Sequence, residues 1–201
     1  DSIGSTVCSY IIVAVSVSAM LTLLVKQYIE QQKELIELGN QMEQIAKQDP
    51  LTGLYNRRYL TEYLAKKIAE HDSFSIALLD LDDFKSINDQ YGYVYGDEVL
   101  RNFAEILKNN VSDHGIVARF GGEEFMLVFH SVEKSIIQKT MEQTAYEMKR
   151  FSISTKNIEI TFSGGVEKVY HENQITALFN AADEKLYQAK RNGKNQIIYE
   201  K

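Results

Sequence analysis

Arg119-Phe120-Gly121-Gly122-Glu123-Glu124-Phe125 decides how this chain is read. Gly115-Ile116-Val117-Ala118 precedes it and Met126-Leu127-Val128-Phe129 follows it. Two short β-prone runs joined at a Gly-Gly predict a hairpin. The turn presents Glu123 and Glu124 at an exposed tip, with no bulky side chain blocking the backbone. Carboxylates on a glycine turn suit a metal ion or a metal–polyphosphate complex. The plain alternative is a Gly-Gly turn kept soluble by two glutamates.

Around the hairpin, helices and strands alternate. Asn56 is placed to cap a helix over 57–71, with Tyr59, Leu60, Tyr63, Leu64 and Ile68 on one face. Phe74-Ser75-Ile76-Ala77-Leu78-Leu79 reads as a buried strand, followed by a short helix from Phe84. A helix is expected from Asp97 to about Asn109, with Val99, Leu100, Phe103, Ile106 and Leu107 inward. After the hairpin come a helix over 133–151, a strand around 158–168, a helix over 174–191 and a short strand at Gln196-Ile197-Ile198-Tyr199. A hairpin inserted into the alternation predicts an α+β sheet with helices mainly on one face, not a doubly wound parallel sheet.

Upstream the character changes. Residues 7–25 carry no charge, and 19 such residues approach the roughly 20 needed for a transmembrane helix. Lys26, Lys33 and Lys47 follow the stretch, so the remainder is expected on the cytoplasmic side of an inner membrane, behind a single pass. A buried core helix is the alternative. Residues 26–48 are polar, yet Leu35, Leu38, Met42 and Ile45 are spaced three, four, three. That spacing predicts a short parallel coiled coil, or one amphipathic helix lying on its own domain. Pro50 disfavours a helical Asp49, so a domain boundary is expected there. The predicted organisation is a transmembrane helix over 1–25, a signalling linker over 26–48 and a catalytic domain over 49–201. A net charge of −6, from 22 basic and 28 acidic residues, argues against a general nucleic-acid surface. Cys8 stands alone, which excludes an internal disulfide and a cysteine-based zinc site.

The candidate chemistry begins at Asp80-Leu81-Asp82-Asp83-Phe84-Lys85. Asp80 and Asp82 share a strand face. Acidic groups at the end of a buried strand need a positive counterpart. Mg²⁺ fits that need, because it takes one or two carboxylates and shares phosphate oxygens with its substrate. Lys85 adds a charge for phosphate. Asp82 and Asp83 also suit a helix N-terminus, which is the better reading for Asp83. Asn88 and Asp97 flank a glycine-bearing loop and together match the hydrogen-bonding edge of guanine. Asp97 is equally a helix cap. Lys190, Arg191 and Lys194 gather around Gly193, either as cations at a helix C-terminus or as phosphate ligands.

Taken together these motifs resemble a GGDEF-domain diguanylate cyclase over about residues 49–199. The matching segments are Asp49-Pro50-Leu51-Thr52-Gly53-Leu54-Tyr55-Asn56-Arg57-Arg58, Asp80 to Lys85, Asn88-Asp89 with Tyr91-Gly92, Gly96-Asp97, Arg119 to Phe125, and Ala182-Asp183 with Leu186 to Lys190 and Gly193. The resemblance implies a ferredoxin-like, nucleotide cyclase-like sheet with flanking helices. It implies condensation of two GTP into cyclic di-GMP with release of pyrophosphate, in a homodimer. By position, Asp80, Glu123 and the Leu81 carbonyl would hold Mg²⁺, or Mn²⁺ in its place. Asn88 and Asp97 would contact guanine, and Lys85, Lys190 and Lys194 would meet phosphates. Glu123 would accept the proton of the attacking hydroxyl, with Glu124 as the alternative.

Three positions depart from the family pattern. Tyr93 stands where a histidine is common, so ribose or guanine positioning is affected. Lys194 stands for arginine, which keeps the charge but not bidentate phosphate recognition. Ser112 and Gly115 replace an Arg-x-x-Asp product clamp, which predicts no feedback inhibition through that site. The competing expectation is a degenerate domain that binds GTP or dimerises without turnover. On either reading, the activating signal would come from an upstream sensor or a partner.

Overall fold

The computed structural model describes residues 2–155, 158–169 and 174–199. The side chains of residues 2–14, 40, 41, 44, 45 and 152–155 lie outside the description, and with them Cys8, Ile45 and the first part of the uncharged stretch. The chain divides into two compact units, Asp1–Ala46 and Lys47–Lys201.

The first unit is helical. Helix α1 runs unbroken over Ser2–Lys47, through both the uncharged stretch and the polar one. Among the described residues no helix is long and apolar enough to cross a membrane. The expected transmembrane helix over residues 7–25 therefore gains no support here: its first eight side chains lie outside the description, and from Lys26 onward charges dilute the apolar run. The helix stops ahead of Pro50, whose ring disfavours the helical region at the residue before it.

The second unit is built on one six-stranded sheet. In chain order it contains β1 (Tyr55–Asn56), α2 (Arg57–Ala69), β2 (Phe74–Leu81), α3 (Phe84–Tyr91), α4 (Tyr93–Val111), β3 (Gly115–Gly121), β4 (Glu124–Phe129), α5 (Lys134–Thr155), β5 (Phe162–Val169), α6 (Ile175–Arg191) and β6 (Ile197–Ile198). The strand order is β1-β3-β4-β2-β5-β6. The four inner strands pair antiparallel, and the two short edge strands pair parallel. From β2 to β5 the chain makes the β-α-β-β-α-β pattern of a ferredoxin-like fold.

The helices cover both faces of the sheet, not mainly one. On one face Ala77, Leu79 and Leu81 of β2 pack with Val99 and Phe103 of α4 and Ile137 and Met141 of α5. On the other, Phe74, Ile76 and Leu78 pack with Leu60 and Leu64 of α2 and Leu178, Ala182 and Leu186 of α6. Every residue of β2 is buried. A strand buried along its whole length demands cover on both sides. The ferredoxin-like core carries its helices on one face, and the segments before and after it close the other. Gly165 makes the closure tight: a Cβ there would lie 2.2 Å from the Ala182 carbonyl oxygen on α6.

Several boundaries differ from expectation. Asn56 does cap α2, accepting from the Tyr59 N–H at 3.0 Å. Helix α4, however, starts at Tyr93 rather than Asp97. Gly92, with φ of 82°, makes the turn between α3 and α4, so Asp97 lies inside the helix and caps nothing.

Candidate active site

Strand β2 delivers Asp80 to the middle of the sheet edge where the hairpin turns. Its position follows from register: Asp80 lies opposite Glu124 on β4 and Ser163 on β5. Directly opposed residues on one sheet face have Cβ atoms about 4.5–5.5 Å apart. Two carboxylates so placed repel unless a cation joins them. Glu123 occupies the turn itself, and its carbonyl accepts from the Leu81 N–H at 3.3 Å. The turn is thereby clipped to the end of β2. The Leu81 side chain is buried in the core, which leaves its backbone as the part available to a ligand.

The cation present is Lys190 on α6, whose Nζ lies 2.9 Å from Asp80 Oδ1. Asp80 is almost wholly buried. Burial pushes its carboxyl above the ordinary value; Lys190 opposes this, while Glu123 and Glu124 add to it. Among the described residues no group of three or more Asp, Glu, His or Cys side chains is arranged to hold a metal ion. The donor chemistry nevertheless suits Mg²⁺, which needs only one or two carboxylates when substrate phosphates supply the rest. Asp80 with Glu123 or Glu124, together with the Leu81 backbone, provides such a set.

A second group forms on α3 and α4. A Cβ at Gly96 would fall 1.9 Å from Asn88 Oδ1, so the amide fits only because residue 96 is glycine. That contact puts Asn88 beside the residue preceding Asp97. Asp97 faces Arg101 at 3.8 Å across one helical turn. Tyr93 begins α4 and is 78% exposed. It stands four residues before Asp97, hence on the same helical face. Lys85, exposed on α3, lies three residues before Asn88 and shares its face in turn.

Lys194 is tied elsewhere. Its Nζ donates to Asp83 Oδ1 at 2.7 Å, an exposed pair that raises the lysine's pKa. Asp83 occupies the N-cap position of α3 with φ of 54° and makes no side-chain cap. Asp82 is satisfied internally: it accepts from Thr161 and Ser163 hydroxyls, both at 2.7 Å, and from the Asn195 N–H at 3.0 Å. Thus, although Asp82 shares parity with Asp80, its lone pairs serve the fold. No local signal announced those partners, which stand 79 to 113 residues away.

The family profile described as "Diguanylate cyclase, GGDEF domain" matches residues 46–196, a span that contains both groups of side chains. The chain belongs to the GGDEF family. Its GGDEF domain is similar to a diguanylate cyclase of Vibrio cholerae, 34% identical over 168 residues, covering 81% of this chain and 52% of that one. It is also similar to an uncharacterized membrane protein of Staphylococcus aureus, 31% identical over 200 residues, covering 95% of this chain and 56% of the other. Among solved structures it resembles the coiled coil and GGDEF domain of DgcB from Caulobacter crescentus in complex with c-di-GMP. There the TM-score is 0.82 at 27% identity, over 90% of this chain and 99% of that one. The chain spans about half, or less, of the length of the curated relatives it matches.

Proposed function

We propose that this GGDEF domain is a diguanylate cyclase that condenses two GTP into cyclic di-GMP and two pyrophosphates between the halves of a homodimer. The observation that carries the reading is the pairing of Asp80 with Glu124 across two buried strands, with Glu123 in the adjoining turn and Lys190 against them. Each bond formed joins a 3′-hydroxyl oxygen to the α-phosphorus of the other GTP, and the bond to pyrophosphate breaks. A bound Mg²⁺ or Mn²⁺ would supply charge neutralisation on the phosphoryl oxygens. Glu123 accepts the hydroxyl proton, with Glu124 as the alternative. Lys85 and Lys190 meet the phosphates, and Lys194 joins them on release from Asp83. Asn88 and Asp97 hold the guanine edge, and Tyr93 flanks it. One domain holds one GTP, so two must meet before either bond forms.

Membrane anchoring is part of the proposal. Support comes from the 19 uncharged residues over 7–25 and from the membrane protein of Staphylococcus aureus aligned along 95% of this chain. The coiled coil of the DgcB structure supports a helical dimer stalk ahead of the domain.

The test is incubation of the whole chain with GTP, ATP and Mg²⁺ and identification of products by mass spectrometry. Cyclic di-GMP from GTP alone is the expected result. No dinucleotide, with metal-dependent GTP binding retained, would establish the degenerate receiver instead. Full turnover in Glu123→Gln would refute the base assignment.

A further inference from the structure

The turn that carries Glu123 stands at the end of the ladder, clipped to β2 by the Leu81 N–H donating to the Glu123 carbonyl at 3.3 Å. The β3–β4 ladder slips its register between Arg119 and Gly121. Beyond that slip Gly121 pairs with Glu124, and Glu124 lies opposite Asp80 on β2. The closer hold comes from a side chain. Arg119 Nε and Nη2 donate to the Gly122 carbonyl at 3.0 and 2.8 Å. Arg119 Nη1 donates to both carboxylate oxygens of Asp49, at 3.1 and 3.3 Å. The two side chains are 16% and 18% exposed. One planar fork therefore grips the hairpin with one edge and the start of the domain with the other.

Asp49 is itself anchored. Its Oδ1 accepts from the Thr52 N–H and hydroxyl at 2.9 and 2.7 Å. Its own N–H donates to the Leu54 carbonyl at 2.8 Å, and its carbonyl accepts from the Gly53 N–H at 2.9 Å. This is a rigid post, standing two residues beyond the last residue of α1.

We propose that Arg119 and Asp49 are positioning residues for the reaction: Asp49 fixes the guanidinium, and the guanidinium fixes Gly122 and so the reach of Glu123 and Glu124. Because Asp49 stands where the chain enters the domain, a displacement there reaches the carboxylate turn through two side chains. Neither Arg119 nor Asp49 is among the groups proposed to hold guanine or phosphate, so loss of the clamp should act on the chemical step more than on GTP affinity. The inference rests on the cyclase reading.

The experiment uses the full chain with Arg119→Lys, Asp49→Asn and Asp49→Glu. Lysine keeps the charge of residue 119 but cannot span both partners. Asparagine still accepts from Thr52, so Asp49→Asn keeps the loop and loses only the ion pair. Three quantities are read: kcat and KM for GTP, hydrogen exchange over residues 119–125, and the melting temperature. For Arg119→Lys and Asp49→Asn we expect kcat to fall roughly tenfold or more, with KM within about twofold. Exchange at the hairpin should quicken relative to the rest of the domain, and Asp49→Glu should recover most of the turnover. Unchanged kcat and exchange in both variants overturns the proposal. A kcat loss that follows melting temperature, with no selective change at the hairpin, also overturns it and leaves a stabilising role alone. If the wild-type chain makes no dinucleotide yet the exchange changes as expected, the cyclase reading fails and the clamp stands.

Discussion

Asp80 concentrates the electrostatics of the site on a single buried group. Burial and the neighbouring glutamates disfavour its charge, while Lys190 favours it. Asp80→Asn should lower turnover by roughly 100-fold or more if Asp80 binds the metal as proposed. Its melting temperature should hold level or rise, because the change relieves crowding of carboxylates and Lys190, 38% exposed, can turn to solvent. A marked drop in thermal melting would show that the pair with Lys190 outweighs the repulsion. Asp49 has the opposite balance. Burial raises its pKa, but the Thr52 hydrogen bonds and Arg119 outweigh that and hold it below the ordinary 3.8. A carboxylate with a lowered folded pKa stabilises the fold above its unfolded value. That stabilisation is lost as pH falls through the folded value. Stability should therefore decline through this group as pH falls below about 4. Asp49→Asn should flatten that part of a pH series of denaturant titrations.

Helix α6 is the element on which the lysine side of the site depends. Gly165 lets it lie against β5, and Lys185 on α6 pairs with Glu167 on β5. Both side chains of that pair are largely buried, at 17% and 14% exposure. Lys185→Met should destabilise the domain by about 3 kcal/mol, because it strands Glu167. Lys66→Met, at an exposed pair with Glu70 of 3.8 Å, should change stability by under about 0.5 kcal/mol. Gly165→Ala should destabilise by roughly 1–3 kcal/mol and also reduce turnover, since pushing α6 outward moves Lys190. Chemical denaturation and steady-state rates check all three. At this scale the sequence was legible where patterns are local. Apolar spacing announced α2, β2 and α6. It misplaced the start of α4, because Asp97 has a capping residue's chemistry and the turn actually lies at Gly92.

In the whole molecule, the proposed reaction makes one site half of a reaction centre, so on that reading the unit that matters is the pair. Leu35, Leu38 and Met42 of α1 are 61%, 48% and 62% exposed. Lys33 and Glu37, two residues either side of Leu35, point about 200° around the helix from it. An apolar seam without charges suits a second copy of the same helix. Replacing Leu38 and Met42 together by Asp should shift the chain toward monomer in light scattering. Specific activity should then become steeply dependent on protein concentration. Equal activity and unchanged mass would count against a helical dimer stalk.

The sequence by itself determined the chemical inventory, the family and the order of the elements apart from the two-residue strand β1, because motifs and hydrophobic periods are local properties. Asp80, Glu123, Glu124, Asn88, Asp97 and Lys190 were all visible in it. What only the tertiary structure decided is which groups face one another. Strand register, not sequence spacing, sets Glu124 opposite Asp80. The fold alone spends Asp82 on Thr161 and Ser163, and Lys194 on Asp83. It alone joins Arg119 to Asp49 across 70 residues, since such a contact exists only once the sheet has brought the hairpin and the domain's first loop together.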